Sequence, residues 1–227
     1  MISEYRFERK WVHNNNDNLN LINKLIRSEF FFNFTFVKRK VNSIYFDDIN
    51  NTSVLENLYG LENKKKIRIR WYGDNKIINN PRLEIKKKKG FITEKKVFNL
   101  PEINYLYFPN INTINKIRLI VEKKLIKKKL IKKQLYPILS THYEREYLLS
   151  NNNLIRATID NNISSINLKN ESKSNINKNY FNTTILELKY PVKLDYYVRD
   201  KLKNMTLRLT KNSKFVNSIF NNPIHVS

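Results

Sequence analysis

Cysteine is absent from the 227 residues, and glycine (3) and proline (6) are scarce. Without cysteine there is no disulfide, no thiolate metal ligand and no sulfur nucleophile. So few chain-breaking residues leave few joints, which predicts one continuous domain over residues 1–227. Acidic residues are also in short supply: 20 Asp plus Glu stand against 43 Lys plus Arg, a formal charge of +23. An excess of that size points to a polyanion such as nucleic acid, an acidic membrane surface or phosphate chains. Part of it reflects an overall richness in Lys, Asn and Ile, because many lysines fall in unpatterned runs. No apolar stretch approaches the ~18 residues of a membrane helix, and "FFFNFTFV" is far too short. The opening "MISEYRFERKWV" carries charge at once and does not read as a signal peptide. A cytoplasmic chain is the expectation.

Hydrophobic residues make up 41% and aromatics 12%, enough for a folded core. Much of the chain alternates with the period of a β-strand. In "YRFERKW", Arg6, Glu8 and Lys10 share a face and Tyr5, Phe7 and Trp11 lie opposite, with Arg9 among them. "KKKIRIRWYG" sets Arg68 and Arg70 against Ile67, Ile69 and Trp71. "RLEIKKKKG" aligns Glu84, Lys86 and Lys88, and Gly90 turns the chain into "FITEKKVF". "HYEREYLL", "IRATIDNNI" and "ILELKYP" align Tyr143, Arg145 and Tyr147, then Arg156, Thr158 and Asp160, then Glu187 and Lys189. With "VNSIYFDD" these make about eight strands. Helices are expected over 17–29, 51–60, 113–135 and 192–204, and the Asn-rich stretches 14–18, 151–153 and 167–182 read as loops.

The unusual feature is which face carries charge. Side chains two apart on a strand sit ~7 Å from each other, where two guanidinium groups repel by ~2 kcal/mol at an effective dielectric near 20. On an open sheet that face meets water and nothing more is needed. In a closed barrel the same faces converge, and around ten cations line a tunnel while helices cover the apolar backs. Buried cations without partners are prohibitively costly, so the closed form demands an anionic guest.

In order along the chain, "RFERK", "SIYFDD", "KIRIRWYG", "LEIKKKKG", "HYEREY", "IRATIDNNI", "LELKYP" and "SKF" resemble the VTC domain, the polyphosphate polymerase module of the triphosphate tunnel metalloenzymes. The resemblance implies an α+β, mainly antiparallel fold: an eight-stranded tunnel barrel with flanking amphipathic helices. It implies ATP and inorganic polyphosphate as partners, with Mn²⁺ or Mg²⁺ as cofactor. By the same resemblance Lys10, Arg68, Arg70, Arg145 and Arg156 are catalytic candidates. Arg6, Lys86, Lys88, Lys95, Lys189 and Lys214 would bind the triphosphate or the polymer, with Lys95 and Lys96 competing for one register. Glu187 matches the metal-holding glutamate, and Glu8 is a second carboxylate for the metal. Sister hydrolases carry E-x-E-x-K where this chain reads R-x-E-x-K, with Arg6 replacing the first glutamate. That departure favours the polymerase branch over a triphosphate hydrolase.

Other readings stay open at this point. A non-catalytic polyphosphate-binding protein has the same sequence signature. A nucleic-acid-binding protein fits the charge, but there is no zinc finger, RRM or KH signature and no evident platform for bases. His13, His142 and His225 lack ligand spacing and read as structural or exposed. Asp47 and Asp48 read as the end of a strand, and Asp160 either pairs with an arginine or approaches the metal. Tyr143 and Tyr147 read as packing and hydrogen-bonding residues of the wall. The run "KKLIKKKLIKK" reads as a solvated helix face; the minority reading is a path for an anionic chain or a contact with acidic lipid.

Overall fold

The computed structural model describes residues 6–14, 18–90, 92–131, 133–169, 178–203, 215 and 218–219. Alternating, β-branched and aromatic segments form nine strands: β1 (Arg6–Asn14), β2 (Asn33–Asp47), β3 (Lys64–Tyr72), β4 (Arg82–Lys89), β5 (Ile92–Asn99), β6 (Tyr136–Leu149), β7 (Arg156–Asn167), β8 (Lys178–Phe181) and β9 (Thr183–Pro191). Between them lie helices α1 (Asn18–Ile26), α2 (Thr52–Leu58), α3 (Ile111–Lys127) and α4 (Asp195–Leu202). All strand pairs are antiparallel, in the order β1-β9-β7-β6-β2-β3-β4-β5, with β8 paired to β7 off this path. The eight-strand path curls into a half-barrel. Glu8 on end strand β1 reaches Lys86 on β4 at 3.8 Å, so the far walls face each other across a lumen.

Parity decides what goes where. On β3, Ile67, Ile69 and Trp71 are buried while Arg68 and Arg70 keep partial access on the other face. The apolar backs of β2, β3 and β4 pack on α3 through Ile114, Ile117, Val121 and Leu125. Those of β1, β7 and β9 pack on α1 (Leu21, Leu25) and α4 (Val198, Leu202). Two core clusters therefore sit outside the curl. Its inside is largely polar, apart from a small apolar layer in which Val41, Ile163 and Ile185 pack beside Tyr143.

Two boundaries differ from the sequence reading. Helix α3 stops at Lys127 rather than near 135, because Lys129 adopts a left-handed φ of 53°. Lys129 N–H then donates to Ile126 O (2.8 Å) and Leu130 N–H to Leu125 O (3.0 Å), closing the helix without the glycine that usually marks such an end. The expected loop over 167–182 contains β8, whose four residues pair with Ile163–Ile166. Asp47 and Asp48 cap α2: Asp47 accepts from Ser53 and Val54 N–H at 2.9 Å, and Asp48 from Thr52 N–H at 3.0 Å. Among the described residues no helix is long and apolar enough to cross a membrane.

Candidate functional site

Inside the curl lies a cavity of about 600 Å³ lined by ten cationic side chains and three carboxylates. Each wall contributes through the period-two rule. β1 supplies Glu8 and Lys10, β9 supplies Glu187 and Lys189, and β6 supplies Tyr143 and Arg145. β3 supplies Lys64, Lys66, Arg68 and Arg70, while β4 and β5 add Glu84, Lys86, Lys88, Thr93 and Lys95. Tyr45 of β2, Asn57 of α2 and Phe215 complete the lining.

The charges are organised in three groups. In the first, Lys10 Nζ lies 3.0 Å from Glu8 and 3.3 Å from Glu187, and Lys189 Nζ lies 2.6 Å from Glu187 and 3.6 Å from Glu8. Burial would raise both carboxyls, but the surrounding cations overcome it. Glu8 falls to about 2 and Glu187 lies well below the usual carboxylate range. In the second, Glu84 is clamped by Arg68 (Nη2 2.6 Å, Nε 2.8 Å) and by Lys95 (2.6 Å). Burial pushes Glu84 upward, and Arg68, Arg70 and Lys95 bring it down to about 2. In the third, the Arg145 fork binds Asp160 in bidentate fashion at 2.5 and 2.7 Å.

Other lining groups are tied by hydroxyls. Arg68 donates to Tyr45 OH (3.3 Å) and Arg70 to Tyr143 OH (3.2 Å). Lys66 lies 5.6 Å from the Phe215 ring centroid, and burial together with Lys10, Lys86 and Arg68 depresses its ammonium to about 7. Charge crowding in this lumen is not fully neutralised by its own acids.

Ten of the thirteen residues singled out from the sequence meet here: Lys10, Arg68, Arg70, Arg145, Lys86, Lys88, Lys95, Lys189, Glu8 and Glu187. Lys95 rather than Lys96 faces the lumen; Lys96 turns to Glu94 (3.1 Å). Arg6 and Arg156 have the expected parity but lie exposed where β1 and β7 begin, outside the cavity. Lys214 and His225 lie outside the described residues. Glu84, aligned with Lys86 and Lys88, and Lys64 and Lys66, just upstream of Arg68, also join the lining although the sequence gives them no site role. The parity of Lys64 and Lys66 with Arg68 was the available signal. His142 is buried between Ser140 Oγ (3.0 Å) and Asn42 Oδ1 (2.8 Å), a structural position.

For a divalent cation, the Glu8–Glu187 pair fits by the chemistry of its donors. A hard ion such as Mg²⁺ takes one or two carboxylates and completes its shell with phosphate oxygens and water. No cluster of three or more His, Asp or Glu side chains that would hold an ion occurs among the described residues.

A model of the VTC domain family matches residues 5–221, nearly the whole chain. The chain belongs to this family. No curated protein matches the sequence. Among solved structures, this VTC domain is similar to HpAC1 from Hippeastrum, described as a putative adenylyl cyclase with a dominant triphosphatase activity. The two share 13% identity with a TM-score of 0.58, covering 96% of each chain. A putative adenylate cyclase from Vibrio parahaemolyticus shares 12% identity with a TM-score of 0.53, over 95% of this chain and 98% of that one. One from Bacillus halodurans shares 15% with a TM-score of 0.52, over 92% and 94%. At these identities the likeness establishes the tunnel fold.

Proposed function

We propose that this VTC domain is a polyphosphate polymerase that transfers the γ-phosphoryl group of ATP to a growing polyphosphate chain within the cavity. The observation that carries the reading is the lining: ten cations and three carboxylates converging on one cavity inside the curl. A polyphosphate presents non-bridging oxygens at every phosphorus, and a ring of Arg and Lys matches that repeating charge.

Phosphoryl transfer asks the protein mainly to align groups and to neutralise charge that spreads onto the γ-oxygens. Arg68, Arg70 and Arg145 offer forks to the triphosphate, each already held by a hydroxyl or carboxylate that fixes its orientation. Lys10, Lys86, Lys88, Lys95 and Lys189 act as point charges along the chain. A terminal phosphate oxygen of the acceptor bonds to the γ-phosphorus, the bond from that phosphorus to the β–γ bridging oxygen breaks, and ADP departs. No protein nucleophile is required. Glu187, with Glu8, would hold Mn²⁺ or Mg²⁺, which supplies charge neutralisation across adjacent phosphates when bound. Arg6 and Arg156, at the cavity's outer rim, would draw anions toward it.

The test is incubation of purified protein with ATP and Mn²⁺ or Mg²⁺, with ADP, free phosphate and polymer followed together. ADP with polymer is expected. Free phosphate without polymer would replace the polymerase by a hydrolase. Tight polyphosphate binding without turnover would replace it by a binding protein.

A further inference from the structure

The lumen face does not end at Arg70 and Arg145. One lumen-side position further, β3 carries Tyr72 and β6 carries Tyr147, while β2 sets Arg39 opposite Arg145, with Phe36 beside them. Arg39 is the register partner of Arg145, and Phe36 that of Tyr147. Tyr72 follows Arg68 and Arg70 at the same parity and pairs with Val41. Around the Arg39 guanidinium stand three rings, with centroids 5.0 Å (Phe36), 5.7 Å (Tyr147) and 6.0 Å (Tyr72) away. Phe36 and Tyr147 meet edge to face at 5.7 Å and 84°. Phe36 is 58% exposed and Tyr72 37%.

We propose that this Arg39 cluster, on the lumen face beside Arg145, is the subsite for the base of a nucleoside triphosphate. The inference rests on the reading of the cavity as a triphosphate site and adds what that reading leaves open, namely where a nucleotide differs from a plain phosphate chain. Three observations converge. Phe36 and Tyr72 stay open to solvent, with Tyr147 half-buried behind them, so the exposed rings offer flat surface to a planar partner rather than serving the core. A guanidinium among them offers a further stacking plane and donors for ring nitrogens and carbonyls. Their place adjoins the anion cavity, since Arg39 pairs with the lining residue Arg145 and facing residues on paired strands lie ~5 Å apart. A base seated here leaves its first phosphate beside Arg145 and Arg70 and aims the remaining two at Lys10 and Arg68. Stacking tolerates any base, and the larger purine rings cover more of the cluster, so purine nucleotides rank above pyrimidine ones.

Binding of ATP, UTP and tripolyphosphate, each with Mg²⁺, to the unaltered protein and to Phe36→Ala and Tyr72→Ala provides the test. Both side chains are exposed enough for truncation to leave the fold intact. ATP affinity is expected to fall about tenfold in the variants, UTP affinity less, and tripolyphosphate affinity not at all. If unaltered protein binds tripolyphosphate and neither variant changes ATP affinity, the base subsite is wrong while the cavity reading stands. If ATP and tripolyphosphate affinities fall together, the cluster shapes the cavity and reads no base. Loss of binding to phosphatidylserine vesicles with ATP affinity unchanged would assign the rings to a lipid surface instead. If unaltered protein binds none of the three ligands, both readings fall.

Discussion

Lys66 is the lining cation whose proton is least secure. Burial and its cationic neighbours lower it from its ordinary 10.5 to about 7, while the unfolded chain keeps the ordinary value. Between those two pH values the unfolded state binds the extra proton, so this group makes apo stability rise with pH across the window from about 7 to 10.5. A bound triphosphate reverses the field and restores the proton. Calorimetry of tripolyphosphate binding at pH 8 in buffers of differing ionisation heat should therefore report net proton uptake, and Lys66→Met should abolish most of it. Equal heats in all buffers would show that Lys66 is already charged. Glu84 acts in the opposite sense, as an internal counter-ion for Arg68 and Lys95. Glu84→Gln should lower apo stability by roughly 2–4 kcal/mol, and saturating tripolyphosphate should recover most of the loss, read as paired melting curves. At Glu187, replacement by Gln should abolish ATP turnover while preserving most of the polyphosphate affinity, since all ten cations remain in the lining. Full turnover in that variant would remove Glu187 from the proposed metal site.

At the level of elements, the tunnel stands because helices seal the backs of strands whose fronts are charged. α3 does this for β2–β4, and its end is set by backbone geometry that residue type does not announce. Lys129 holds a left-handed conformation that costs an L-residue with a Cβ about 1 kcal/mol relative to glycine. Lys129→Gly should accordingly stabilise the fold by about 1 kcal/mol in urea denaturation, with an unchanged m-value. A destabilised Lys129→Gly protein would mean that the side chain itself makes the junction. The sequence reading carried α3 on to 135 because its apolar spacing continues through Leu130 and Ile131. Those residues do pack on the same core, but from an irregular segment. β8 was missed for a related reason: four residues in an Asn-rich stretch show too little periodicity to stand out, and their pairing with β7 makes them a strand.

Over the whole molecule, a formal +23 means that folding works against its own repulsion. Salt should relieve that repulsion and weaken ligand binding together. Raising NaCl from 50 to 500 mM is expected to raise the apo melting temperature and to shrink the further rise produced by tripolyphosphate, because screening acts on both. At ligand a hundredfold above Kd the added stability should be about 2.7 kcal/mol. A ligand-induced rise that is indifferent to salt would show that the anion is held by something other than the lining charges.

Alternation along the chain decided the parity of each strand, and with it which side chains share a face. Arg68 with Arg70, Glu187 with Lys189 and Glu8 with Lys10 were all legible because a strand's side-chain period admits no other arrangement. Sequence could not decide which faces look at one another, since that depends on the curl of the sheet and the order in which distant strands pair. Only that order sets Lys10 between Glu8 and Glu187, turns Asp160 onto Arg145 and brings Glu84 under Arg68. It also leaves Arg6 and Arg156 at the rim, because a strand's first residue can have the right parity and still lie beyond the enclosed length of the lumen.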